Sequence, residues 1–186
     1  MGIILFNVSW MALNISLAVL AIAFGFIFLN LKNAYLKFLF FILWLIFIPN
    51  TIYLITDLQY LPEQFLEIEN SYKALLVLQH LTLFCLGIIF FYIGLYPLDK
   101  MLSKKLKDKM FRNLIIILII YLIAFGVALG RIQRTNSWDI VFNFSKVLEN
   151  SLTLINSKLV LASVFIFGTL SLLLYFSLKR LLKKII

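Results

Sequence analysis

Charge is what this chain has least of. Of 186 residues only 13% are charged, while 63% are hydrophobic. No charged side chain precedes Lys32, and acidic residues number just 8. So apolar a chain cannot cover itself with polar surface, which excludes a soluble globular domain. The single cysteine, Cys85, excludes an internal disulfide, and its mid-helix place suits a small, buried apolar filler. The sequence holds no phosphate-cradling glycine loop, no G-x-S-x-G, no C-x-x-C pair and no H-E-x-x-H. Nothing therefore points to soluble-enzyme chemistry, and neither a cofactor nor a metal is expected.

What the chain does have is length without polarity. Apolar stretches over about Ile3–Leu29, Phe38–Ile55, Ala74–Tyr96, Leu114–Leu129 and Leu159–Leu178 each match a bilayer at about 1.5 Å per residue across about 30 Å. Backbone groups in hydrocarbon need internal partners, so such runs must be helices. The expectation is an all-α, polytopic transmembrane helical bundle. It has about five spanning helices plus a short interfacial helix, and residues 1–186 form one integral membrane domain. No basic segment precedes the first stretch, so a secretory signal peptide is not expected and that helix should stay.

Orientation follows from the cations. Lys32 and Lys37 follow helix one. Lys100, Lys104, Lys105, Lys107, Lys109 and Arg112 follow helix three, against Asp99 and Asp108. Lys179, Arg180, Lys183 and Lys184 close the tail, whereas Asp57, Glu63, Glu67 and Glu69 follow helix two with only Lys73 to balance them. The odd segments carry +2, +4 and +4, and the even loops −3 and +2. This pattern predicts an N-terminus outside and a C-terminus in the cytoplasm, in a bacterial cytoplasmic membrane. It also explains the basic balance without a nucleic-acid partner, the natural partners being membrane lipids.

The connections have characters of their own. Residues 57–73 read as a short acidic loop with a turn at Pro62, and residues 98–112 as a basic amphipathic stretch at the headgroups. Asn136 can cap a helix and Asp139 can complete a capping box. Ile140, Phe144, Val147 and Leu148 then fall on one apolar stripe. Residues 137–150 are thus expected to form a short helix at the outer interface.

Polar side chains gather toward the outer ends of the spans. Asn7, Ser9, Asn14 and Ser16 lie in the first half of helix one, and Gln79, His80 and Thr82 near the start of helix three. The inner halves offer almost no polar foothold, which argues against a channel or transporter and for a cavity open to the outside. Asn50, Tyr53 and Asp57 share one helical face, just past a bend at Pro49. Arg131, Arg134 and Trp138 repeat at helical spacing if that helix continues past the membrane edge, with Gly126 and Gly130 below them.

Each residue has a plain structural reading beside the functional one. Asp57 could pair with Arg131 or Arg134 and fasten two helices, or act as a general base. His80, the single histidine, could be a bonded packing residue or an acid–base group. The arginines could complete a helix end, or bind phosphate or carboxylate bidentately. Asn136, Ser137, Trp138 and Asp139 could be a cap with an interfacial anchor.

At P-N-x-x-Y-x-x-T-D (residues 49–57) and G-R-x-x-R-x-N-S-W-D (residues 130–139), the chain resembles the bacterial multi-spanning membrane proteins grouped as domain of unknown function 1361. The resemblance covers most of the chain. It implies that Asn50, Tyr53, Asp57, Arg131, Arg134, Asn136, Trp138 and Asp139 are signature positions, although Thr51 and Ile52 stand where the family pattern has a second proline. The family implies no activity. The resulting expectation is a membrane protein with an outward-facing polar pocket, binding an anionic lipid headgroup or envelope component through those residues. The alternatives are an enzyme on a lipid-linked substrate, with Asp57 and His80 as catalytic candidates, and then a small transporter.

Overall fold

The computed structural model describes residues 2–185, except for the side chains of residues 141 and 183–185, so Lys183 and Lys184 lie outside the described side chains. The described residues are all-α. The order is α1 (Gly2–Asn30), α2 (Ala34–Phe47), α3 (Pro49–Thr56), α4 (Leu61–Glu67), α5 (Lys73–Lys105), α6 (Lys109–Gln133), α7 (Asp139–Phe142), α8 (Phe144–Asn156) and α9 (Lys158–Ile185). Among them, five helical stretches are long and apolar enough to cross a membrane: Gly2–Asn30, Ala34–Glu67, Asn70–Lys105, Lys109–Gln133 and Lys158–Leu182. The polytopic transmembrane class read from hydropathy is the class of the fold.

The connections differ from expectation because helices run further than hydropathy does. The acidic segment after α3 is a 3₁₀ turn, Asp57–Tyr60, followed by α4. Pro62 lies in the first turn of α4, where its missing N–H costs nothing. The basic stretch is not a separate surface element either. Helix α5 runs through Pro97 to Lys105, and α6 restarts at Lys109, capped by Asp108, which accepts from the Met110 N–H at 2.8 Å. Nor is the expected interfacial helix one piece, since Asn143 at φ −150° separates α7 from α8. Cys85 is exposed on α5, not buried: a thiol suits a lipid-facing surface as well as a core.

The chain groups into two compact units, residues 1–95 and 96–186, each described by itself. In the first, α1 packs on α2 and α3 through one face: Ile4, Asn7, Met11, Ala18, Ala21, Gly25 and Phe28 are buried at helical spacing. The small residues let the neighbouring backbones approach. Phe28, Phe41 and Trp44 pack ring against ring, and the Trp44 indole donates to the Gly94 carbonyl at 2.8 Å. A Cβ on Gly87 would meet the Ile55 backbone nitrogen at 2.9 Å, so only glycine allows this contact.

In the second unit α6 packs on α9, with Gly168 against the Tyr121 ring and the Tyr121 hydroxyl 3.2 Å from that of Thr169. Asp99 meets Lys179 at 2.5 Å and Arg112 at 3.8 Å, all three mostly shielded. The basic loop after helix three and the basic tail are thereby tied by one carboxylate. Helix α8 has three faces. Leu154 is buried, Lys146, Glu149 and Thr153 are polar, and Phe144, Leu148, Leu152 and Ile155 form an exposed apolar stripe. That third face suits the interface expected for this segment.

Candidate functional site

Unit one buries the polar side chains of Asn7, Asn50, Thr51, Asp57 and His80, and the break at Pro49 begins their arrangement. Without a proline N–H, α2 stops at Phe47 and α3 begins. The Thr51 N–H turns to the Ile48 carbonyl at 3.1 Å, and side chains take up further carbonyls. The Asn50 amide donates to Phe47 O at 2.8 Å, and the Thr51 hydroxyl to Ile48 O at 2.8 Å. Asn50 is therefore part of the bend that aims the rest of the helix. Asp57 stays in helical conformation with its N–H on the Tyr53 carbonyl, so the expected shared face of Asn50, Tyr53 and Asp57 is kept. Asn50 and Asp57 are buried; Tyr53 is half-buried.

Helix α1 supplies partners that the motif spacing did not reveal. The Asn14 amide donates to the Asp57 carboxylate at 2.9 Å. Asn7 gives its amide to Gln64 Oε1 at 2.8 Å and accepts from Gln64 Nε2 at 3.1 Å and from the Trp10 indole at 3.0 Å. Trp10 also meets the rings of Tyr60 and His80 edgewise, at 5.9 and 6.4 Å between centroids. Asn7 and Asn14, a heptad apart, were visible as polar positions in an apolar helix. Gln64, in a seven-residue helix after a proline, gave no such signal.

His80 is buried, with Nδ1 3.0 Å from the Leu76 carbonyl. A carbonyl can only accept, so Nδ1 carries a proton and donates it to this bond. Nε2 is buried and has no hydrogen-bond partner. The ring is thus held in one orientation with Nε2 left over.

In unit two the Arg131–Arg134–Trp138 face ends early. Helix α6 stops at Gln133, and Arg134 turns left-handed at φ 50°, ψ 41°. It is the single described non-glycine residue with positive φ. Its N–H and that of Thr135 both reach the Leu129 carbonyl. Trp138 therefore lies beyond the helix, partly exposed, and does not continue the arginine face. Arg131 is half-buried in the last turn of α6, and Arg134 is exposed.

Asp139 organises the segment that follows. Its Oδ2 accepts from the Asn136 N–H at 2.8 Å and from Lys146 Nζ at 3.1 Å. The first contact is the carboxylate half of the expected capping box. The other half is missing, because Trp138 takes the cap position without a side-chain bond. The Asn136 N–H and then Lys146 hold the Asp139 carboxyl below its ordinary value of 3.8. The Asn150 amide adds a bond to the Thr135 hydroxyl at 2.7 Å, so Lys146 and Asn150 tie α8 back to the signature residues.

Five membrane-length apolar helices and two polar signatures define a polytopic all-α membrane protein. The family model for protein of unknown function (DUF1361) matches residues 13–174, and the chain belongs to that family. No curated protein and no solved structure matches it.

Proposed function

We propose that this protein binds an anionic lipid headgroup or another anionic envelope component through Arg131 and Arg134, the carrying observation being the backbone of Arg134. A non-glycine residue in the left-handed region costs about 1–3 kcal/mol, and such strain collects at functional sites. Glycine would end α6 here without strain, yet the position is an exposed arginine. Two guanidinium groups three residues apart suit a phosphate or carboxylate. In this reading Asn136, Trp138 and Asp139 hold the chain beside them. The Lys and Arg bias supports a bacterial cytoplasmic membrane with the N-terminus outside.

The test is thermal stability in nanodiscs of phosphatidylglycerol and of phosphatidylcholine. Selective binding to the folded protein raises its melting temperature. The anionic lipid should stabilise the native protein, and the gain should vanish in Arg131→Ala, Arg134→Ala. Equal behaviour in the two lipids overturns the reading. A reporter fused after Lys105 that appears outside the cell overturns the orientation.

A second reading draws on His80. A buried, oriented Nε2 without a hydrogen-bond partner suits acid–base work, with Asp57 as the companion carboxylate, on a lipid-linked substrate. Intact cellular function in Asp57→Asn and His80→Ala variants removes this alternative.

A further inference from the structure

Unit one carries a groove of about 370 Å³ between α1 and α5, lined by none of the residues of the proposed function. Val8, Met11, Ala12 and Ile15 form one wall; Leu75, Leu78, Gln79, Thr82, Leu83 and Leu86 form the other. Its volume falls in the range of small-ligand pockets, about 300–1,000 Å³. Both walls belong to membrane-length helices, and Val8, Leu75 and Leu78 at its margin are exposed apolar side chains. The phase such a surface meets is hydrocarbon, so the occupant comes from the lipid.

The two polar side chains in the walls narrow the choice. The Thr82 hydroxyl spends its proton on the Leu78 carbonyl at 2.7 Å. Gln79 is oriented by its own bond, because Nε2 donates to the Ile4 carbonyl at 3.2 Å, and a carbonyl cannot face the amide oxygen instead. This leaves Gln79 Oε1 as a buried acceptor without a partner. A plain hydrocarbon chain fills such a groove and leaves that oxygen unsatisfied, which is unfavourable in an apolar medium.

We infer that the groove takes an acyl chain bearing a hydrogen-bond donor, a hydroxyl or an amide N–H, a few carbons below its polar end, and that Gln79 Oε1 accepts this donor. The depth fits. Gln79 lies six residues into α5 from Lys73, or about 9 Å along the axis at about 1.5 Å per residue. The oxygen is closed to water, so its donor arrives with an occupant that parts the wall side chains. The inference rests on membrane insertion and not on Arg131 or Arg134, so it and the anionic-headgroup reading fail separately.

The experiment measures binding of three matched probes to the full chain in detergent: myristic acid, 3-hydroxymyristic acid and N-myristoylglycine. One donor-bearing chain should bind about tenfold more tightly than myristic acid, and the favoured probe tells hydroxyl from amide. Gln79→Leu should erase the preference while retaining chain binding. Ala12→Phe fills the groove from an exposed position and should abolish binding of all three probes with the melting temperature unchanged. Equal affinity for all three in the native protein overturns the inference, as does undiminished binding in Ala12→Phe. Neither result depends on whether the arginine variant still selects anionic lipid.

Discussion

Asn7 on α1 and Gln64 on α4 exchange both of their side-chain hydrogen bonds, at 2.8 and 3.1 Å, across 57 residues of chain. The pair fastens the short helix after the Pro49 bend to the first span, and so fixes the segment that begins with Asp57. Asn7 is fully buried and Gln64 half-buried, so water competes for these bonds less than it does at the surface.

Asn7→Leu should therefore strand the Gln64 amide and the Trp10 indole, lowering stability by about 2 kcal/mol or more. Adding Gln64→Leu should recover part of that loss, because the second stranded amide is removed. Melting temperatures of the two single variants and the double variant test this. Strictly additive losses contradict the pairing.

Close helix approach in unit one gives a second contrast. Gly87→Ala sets a methyl group against backbone at 2.9 Å and should cost about 1–3 kcal/mol. Gly94→Ala meets first the Ile48 Cδ1 atom at 2.5 Å, the free end of a flexible side chain, and should cost less. Thermal unfolding of the two variants side by side gives the order.

Acid should loosen the signature segment of unit two. Asp139 has its folded pKa depressed, so its contribution is complete well above 3.8 and is lost as pH falls through the lower folded value. Fluorescence of Trp138, in a Trp10→Phe, Trp44→Phe background, should change as pH drops below about 3.8. Asp139→Asn should remove that transition, and Lys146→Ala should move it upward, toward the ordinary carboxylate range.

Arg134→Gly separates backbone from side chain. If the left-handed turn is only a helix stop, glycine relaxes it and should stabilise the protein by up to about 1 kcal/mol at no functional cost. If the guanidinium holds an anion, stability rises while anionic-lipid selectivity falls, and this second outcome is the expected one. Unchanged selectivity shows the guanidinium to be dispensable.

The spans were legible because hydropathy and length dictate them: α1, read as residues 3–29, runs from Gly2 to Asn30. Proline misled at Pro62. Pro62 reads as a turn but sits in an opening helical turn, and the third span, read to Tyr96, continues through Pro97 within α5. The end of α6 was equally hidden, since no glycine or asparagine at position 134 announces a left-handed residue. Within the site, the shared face of Asn50, Tyr53 and Asp57 follows from local spacing and was readable. The contacts Asn7–Gln64, Asn14–Asp57 and Trp10–His80 are tertiary, and no spacing within one helix encodes them.

The most direct test of anion binding at the arginines is native mass spectrometry of the protein released gently from its membrane, beside the Arg131→Ala, Arg134→Ala variant. The expected result is a retained anionic lipid or envelope component on the native protein that is absent from the variant. A native protein that emerges bare, with a variant that has lost only thermal stability, contradicts it and makes the arginines fasteners of the α6 terminus.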